Sequence, residues 1–542
     1  MDLALESTNQ RGLYQVYLIL IVIFLPFSTY IIAAGYPYLT NVPVINCQLK
    51  DKPDSPFEKC DMDEFCKDQS KYNIIFDYKS SIDNYSLKYK LYCKKSNLCP
   101  FLNSSFFFGA VIGVTICANY PDRIGRLPVL KFLMIINIIA QFNYLFSINF
   151  YHILIIAFFS GFATYCNSVL SLMIVETMDP IWSGLTMSAR SASYGLVGIV
   201  LGFYFMIVNS LLLLLVLNVV ISCLGFYIVL KYFVESPRWL NSQNRLDEAI
   251  EEMRKMAILN GSETHFEEFL EVNNEILHES KKEIKTVKHE YNIIQIFQLK
   301  SQQYYIYNLM YIWFFVTVCF YGNFTALNKG KGNLFLNSIF TYTGEVISEM
   351  SSGVLANKFG RVRVTEVLSY MGGFAFIISY FIQKDQDFLR SVILFISSFG
   401  FSGSLNLLYI YTNELFPMSI KALTFGFMYL MSRAGGVAIP LFLASSYYPI
   451  ILGALSVSCG YLMGKLPETL GKKLLDDVPE TIRKYSALSL AEIDPADIAM
   501  IRDSFGRNIT ERSMLMKEKL KMSFNQSKNS IYFQSNKNVL MK

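Results

Sequence analysis

Residues 118–126 read ANYPDRIGR, and residues 353–361 read GVLANKFGR. The two stretches align without a gap, and each closes an apolar run long enough to be a membrane helix. A second echo sits further along, where Glu176-Thr177-Met178-Asp179-Pro180 answers Glu414-Leu415-Phe416-Pro417. The offsets nearly agree: Asp122 lies 235 residues before Asn357, and Glu176 lies 238 residues before Glu414. Two echoes at nearly one offset point to two parallel repeats, an arrangement in which a membrane carrier binds its cargo between its halves.

Composition fits that reading. The chain of 542 residues is 53% hydrophobic and only 17% charged, with a mean hydropathy of +0.33, whereas a soluble domain carries about 25% charged residues. Twelve stretches are long and apolar enough to cross roughly 30 Å of hydrocarbon. In the first half they are 14–36, 101–119, 129–146, 153–175, 184–207 and 211–233; in the second, 305–327, 334–355, 364–382, 389–411, 422–445 and 448–464. The expected fold is an all-α membrane protein of twelve transmembrane helices in two six-helix pseudo-symmetric halves. Its parts are a cytosolic N-terminus (1–13), an N-terminal half (14–235) with a large extracellular loop (41–100), and a central cytosolic segment (236–304). A C-terminal half (305–465) and a partly disordered cytosolic tail (466–542) complete it.

Short loops set the orientation. Asp122, Arg123, Arg126 and Lys131 lie in or beside the turn after the second span, and Lys358, Arg361 and Arg363 after the eighth. The opposite-side turns 147–152, 209–210 and 446–447 carry no Lys or Arg. The positive-inside rule then puts both termini in the cytosol, although the 384–390 loop disagrees mildly. The first outer loop holds Cys47, Cys60, Cys66, Cys93 and Cys99. Five cysteines there form at most two disulfides, whose pairing spacing does not reveal. Neither Cys60/Cys66 nor Cys93/Cys99 has zinc-ligand spacing, so no metal is expected. Asn84-Tyr85-Ser86 is a glycosylation sequon on the same loop, and plasma membrane is the expected location. A net charge of +5 suggests no nucleic-acid partner, and no cofactor motif stands out.

Immediately after the sixth span comes ESPRWLNSQNRLDEAI, residues 235–250. Ser236 can cap a helix, Pro237 suits its first position, and Leu246, Ile250, Met253 and Ala257 recur at helical spacing. Together with the repeated turn, this segment resembles the major facilitator superfamily, within it the organic cation, anion and carnitine transporters. The likeness extends to LYCKKSNLCPFLNSSFFFGAVIGV, YIWFFVTVCFYGN, YTNELFPMSIKALTFG and LPETLGKKL, covering about residues 14–475. Departures are Ala118 for the first glycine of the turn, Leu127 for a basic residue, Asn357 for the second-half aspartate, and Ala157 where an arginine is usual. Sugar porters share the ESPR-like and PETLG-like motifs. They carry a glutamine pair deep in the seventh span, whereas Gln302-Gln303 lies at its start here.

The resemblance implies a transporter of small organic ions working by alternating access, functional as a monomer and served by a coupling ion. Arg433, within MSRAGGVAIP, matches an arginine of the anion and carnitine branches and should bind a carboxylate or sulfonate with its planar fork of donors. Glu345 and Glu349 lie four apart on one helix face. They could hold a cationic substrate, pair with Arg433, or carry a proton; a purely structural ion pair is the alternative. Trp313, Phe320 and Tyr321 match aromatic positions of the family and could stack on an organic ion. At the helix ends, Asp122, Arg123, Arg126 and Glu176, with Lys358, Arg361 and Glu414, either latch the two halves on the inner side or merely touch water. Arg190 lies close enough to the cytosolic side to snorkel and is set aside. Rival readings are a sugar porter, a nutrient receptor derived from a transporter, and an enzyme. Against an enzyme, the four histidines (His152, His265, His278, His289) are scattered and no nucleotide-phosphate motif is present.

Overall fold

The computed structural model describes residues 2–9, 11–51, 56–60, 62–77, 81–279, 300–328, 333–382, 386–416 and 418–471. Much of the expected tail and the end of the central segment, with Lys384, lie outside them. Met1–Ile293 and Tyr304–Leu475 form one compact unit. Of the other unit, Ile294–Gln303 and Asp476–Lys542, only residues 300–303 are described, as the start of a helix.

Ten helices among the described residues are long and apolar enough to cross a membrane. Leu334–Phe359 and Tyr448–Gly464 complete the twelve. The first is less apolar, because Asn337 and its Ser, Thr and Glu residues dilute the hydrophobic run, and the second has only 17 residues. In chain order, spans 1 to 6 are Leu13–Leu39, Pro100–Cys117, Arg126–Leu145, Phe150–Thr177, Pro180–Ile207 and Leu211–Tyr232. Spans 7 to 12 are Lys300–Thr325, Leu334–Phe359, Arg361–Phe381, Asp387–Leu415, Met418–Leu443 and Tyr448–Gly464.

The burial pattern is that of a protein solvated by lipid. Large side chains such as Ile139, Phe159, Phe203, Val354 and Phe374 stand at least half exposed or nearly so on the outer faces. The interior of the N-terminal half carries polar glue instead. Asn137 donates to Ser28, Gln141 to the Ser28 carbonyl (2.8 Å), Asn218 to Gln141 (2.7 Å) and Ser222 to Ser28 (2.8 Å). Where lipid offers no partner, such bonds between spans 1, 3 and 6 hold the half as one body.

The outer loop is not helical throughout. Strands β1 (Ile45–Leu49), β2 (Glu58–Lys59) and β3 (Tyr72–Phe76) form an antiparallel sheet in the order β2-β1-β3. Its small core of Ile45, Cys60 and Phe65 is stapled by Cys47–Cys60 and Cys66–Cys93. Cys99 is buried and belongs to neither bridge. Asn84 does not present itself for glycosylation. It is 1% exposed, its amide donates to the carbonyls of Tyr38 (2.8 Å) and Asn41 (3.0 Å), and its oxygen caps a short helix at Leu87. The asparagine of the sequon is used as a helix cap, so the nitrogen that a glycan would need is buried and already bonded.

On the opposite face, the segment after span 6 folds as Pro237–Ser242, Leu246–Asn260 and Glu263–Glu279. Ser236 caps the first of these at Trp239 (3.2 Å). Asn260 ties the second to the chain start, accepting from the Tyr14 amide (2.9 Å) and donating to Thr8 and Asn9. Ala4, Leu5, Met253, Met256 and Phe266 join the same buried cluster as span 1. The first part of the central segment therefore packs under the N-terminal half.

Candidate substrate site and paired charge clusters

Span 11 carries Arg433 into the interior, where it is 7% exposed. Its guanidinium donates to the hydroxyl of Tyr321 on span 7 (3.1 Å) and to that of Tyr429, one turn back on its own helix. It also lies over the Tyr429 ring, 4.5 Å from the centroid. Tyr30 of span 1 and Tyr409 of span 10 complete a ring of phenols within electrostatic range. All four tyrosines are half-buried, so they line space rather than fill a core. The Arg433 Nε has no hydrogen-bond partner. A guanidinium cannot shed its proton, and here its described partners are neutral. The arrangement is a buried cation held by neutral phenols.

The two span 8 carboxylates stand nearby without quenching it. Glu345 is 1% exposed and Glu349 8%, and each has one buried oxygen without a hydrogen-bond partner. Among the described residues neither forms an ion pair with Arg433. The pairing expected as one option is absent, because the tyrosines occupy the guanidinium instead. Glu345 lies in electrostatic range of Tyr321 and Tyr194, which places it beside the same space.

The aromatic candidates divide. Phe320 and Tyr321 meet Tyr194 of span 5, at 5.9 and 5.7 Å between centroids, and Tyr321 meets Phe107 of span 2 at 4.4 Å. Trp313 is fully buried, donates to Thr412 (3.0 Å) and packs edge-on to Tyr409 at 4.7 Å. It backs the tyrosine ring and does not line the space. Spacing gave no hint of Tyr30 or Tyr409 in a chain with 35 tyrosines. Tyr429 had one signal, its place four residues before Arg433. Arg190, set aside as a snorkelling residue, has a buried and unbonded Nε and lies in electrostatic range of Glu349, Tyr409 and Tyr429. It is half-buried, ten residues into a helix that begins at Pro180.

The halves touch toward the loop face. Asn103 donates to Thr325 (2.9 Å), Ser104 to the Val437 carbonyl (2.9 Å) and Tyr342 to the Ala34 carbonyl, while Tyr38 stacks with Phe335. Toward the termini face, a Cβ built at Gly353 of span 8 or Gly426 of span 11 would meet nothing within 4 Å. The described contacts between the halves thus gather on the loop side.

The repeated turns build twin charge clusters. Arg126 binds Glu176 with Nη2–Oε1 at 2.9 Å and Nε–Oε2 at 3.1 Å, and reaches Asp122 at 3.0 Å. Arg361 binds Glu414 at 3.1 Å and donates to Asn357 at 2.6 Å, so the asparagine keeps the aspartate's place without its charge. Arg123 and Lys358 are exposed. Neither pair crosses between halves: each ties the third and fourth spans of its own repeat, or the ninth and tenth.

Two glutamates that sequence reading missed complete the clusters. Glu235 accepts from the amides of Arg126 (2.9 Å) and Leu127, and Glu468 accepts from those of Arg361 (2.8 Å) and Val362 (3.1 Å). Gly125 and Gly360 make this possible. Their φ values of +110° and +100° turn the next amides toward the carboxylates, and a Cβ would sit 2.3 Å from Glu235 and 2.5 Å from Glu468. The signal was present in the ESPR and PETLG stretches, each about 107–109 residues beyond its arginine.

Residues 68–477 match the family described as Sugar (and other) transporter. Among relatives, Solute carrier family 22 member 6 of Bos taurus is 24% identical over 422 residues, 75% of this chain and 74% of that one. Organic cation/carnitine transporter 2 of Homo sapiens is 24% identical over 409 residues, 73% and 71% of the two chains. Among solved structures, the inward open conformation of the xylose transporter XylE from E. coli aligns with a TM-score of 0.57 at 16% identity, over 85% of this chain and 97% of that one. The human organic anion transporter MFSD10 (TETRAN) aligns with a TM-score of 0.50 at 13% identity, over 84% and 99%. At these identities the structures speak for the fold alone. The chain belongs to the sugar (and other) transporter family: it is a multi-pass membrane transporter of the major facilitator fold and not an enzyme.

Proposed function

We propose that this transporter carries small organic ions bearing a carboxylate or sulfonate, seating that group on Arg433 and working by alternating access. One observation carries the reading: a buried guanidinium whose described partners are neutral phenols, with its Nε unbonded. An entering carboxylate would replace weak neutral contacts with charge-assisted, two-pronged hydrogen bonds. Glu345 and Glu349 offer buried carboxyl oxygens beside the same space, which suits a zwitterion, with the tyrosine faces holding an onium group. The relatives named for organic cations and carnitine agree with that chemistry. We assign the side of the positive turns to the cytosol of the plasma membrane, with both termini on it. The working unit is a single chain, and a coupling ion remains part of the proposal through the two span 8 carboxylates.

The test is uptake of labelled benzoate, tetraethylammonium and carnitine into expressing cells, with surface levels matched. Losing charge-assisted hydrogen bonds of about 1.5–3 kcal/mol predicts that Arg433→Ala lowers benzoate or carnitine uptake at least roughly tenfold. Transport of tetraethylammonium alone, untouched by Arg433→Ala, overturns the assignment.

A further inference from the structure

We infer that Arg190 and Glu349 form a charge gate beneath the substrate site, an ion pair between the two halves that closes when the termini face shuts and parts to release substrate. The inference rests on the alternating-access reading above.

Spans 5 and 8 pack antiparallel along a regular register. Gly202 faces Ile339, Gly198 faces Tyr342, and Gly195 faces Glu345 and Val346. As numbers fall on span 5 they climb on span 8. Arg190 lies one turn beyond Tyr194, and Glu349 one turn beyond Glu345; Tyr194 and Glu345 are in electrostatic range of each other, so Arg190 and Glu349 fall at the next level toward the termini side. Above that point the helices are in contact; below it, at Gly353, the space is open. The pair thus sits where contact gives way to the opening.

Both side chains are poised but unbonded. The Nε of Arg190 and the Oε2 of Glu349 are buried without hydrogen-bond partners, and no ion pair within 4.0 Å involves either among the described residues. Glu349 nevertheless lies in electrostatic range of Arg190. A buried donor and a buried acceptor left unmade are costly, and an approach of the helices below Gly195 satisfies both at once. Glu345 lies one turn above Glu349, and Tyr30, Tyr409 and Tyr429 lie in electrostatic range of Arg190. Arg433, bonded to Tyr321 and Tyr429, is held away from the carboxylates.

The full chain is tested with Arg190→Glu, Glu349→Arg and the double exchange, at matched surface levels. Labelled carnitine uptake measures transport. Maleimide labelling of Gly353→Cys in purified protein, corrected for the parent's cysteines, measures opening of the termini face. Each single exchange should cut initial uptake about tenfold or more and speed labelling severalfold, while the double exchange should return both to within about threefold of the parent. Arg190→Lys, which keeps the charge, should stay within about threefold. A double exchange no better than the worse single, or Arg190→Glu leaving uptake and labelling unchanged, overturns the gate. If wild type moves no carnitine, the substrate reading fails separately, and labelling still decides the gate. Arg433→Ala, losing uptake with labelling unchanged, supports the substrate site as distinct from the gate.

Discussion

Replacing Arg126 by alanine should unsettle the N-terminal half by an amount that its geometry sets. The Arg126 side chain is 9% exposed and that of Glu176 is 18% exposed. Two guanidinium nitrogens share both carboxylate oxygens, and a third donates to the Pro121 carbonyl at 2.6 Å. Removing one member of a buried pair costs about 3–5 kcal/mol, chiefly because the other charge is stranded. Some water reaches Glu176, so the lower end, about 3 kcal/mol, is expected. For a cooperative body of 150–250 residues this lowers the midpoint by roughly 6–12 °C. The matched Arg361→Ala should cost less. Glu414 is 29% exposed and keeps a 2.6 Å hydrogen bond from Thr469. Thermal unfolding of purified protein in detergent reads both. Arg126→Ala/Glu176→Ala should lose clearly less than the sum of its singles, with a coupling of about 1–3 kcal/mol. Strict additivity would show that the pair is a surface ornament and refute the reasoning.

The repeat-related glutamates should respond to pH with opposite slopes. At Glu468 burial pushes the carboxyl up, but the amides of Leu470, Arg361, Val362 and Thr469 outweigh it and hold the group below its ordinary 4.5. Its contribution is present above 4.5 and lost as pH falls. Glu468→Gln should therefore lose stability against wild type as pH rises past 4.5, and converge with it in acid. At Glu235 burial wins over the amides of Ser236, Arg126 and Leu127 and raises the carboxyl above 4.5. Its contribution is complete in acid and fades as pH climbs, so Glu235→Gln should gain on wild type over that range. Parallel slopes in melts across pH would contradict this. In the outer loop, alkylation of unreduced, denatured protein should mark Cys99 alone among the five cysteines. Peptide mapping should recover 47–60 and 66–93 as linked pairs, and a bridge to Cys99 would overturn the pairing.

The sequence by itself determined the frame. Lipid imposes a length and an apolarity on every span, so twelve boundaries were legible within a few residues. The duplicated turn, with its glycine and arginine, declared two halves because only that backbone suits the junction. Arg433 announced itself since a charge in mid-span is rarely idle. Sequence also suggested the partners of Arg126 and Arg361, though it left open whether they latch the halves; each pair lies within its own half. What only tertiary structure decided were matters of contact between segments far apart in the chain. It chose which of 35 tyrosines gather around Arg433, drew Glu235 and Glu468 back onto the repeated turns, and selected two cysteine pairs among the possibilities. It buried Asn84 as a cap where its sequon suggested exposure. It also brought Arg190 into electrostatic range of Glu349. Local chemistry fixes what a span is, because lipid reads each helix alone; which charges face one another depends on how twelve helices pack.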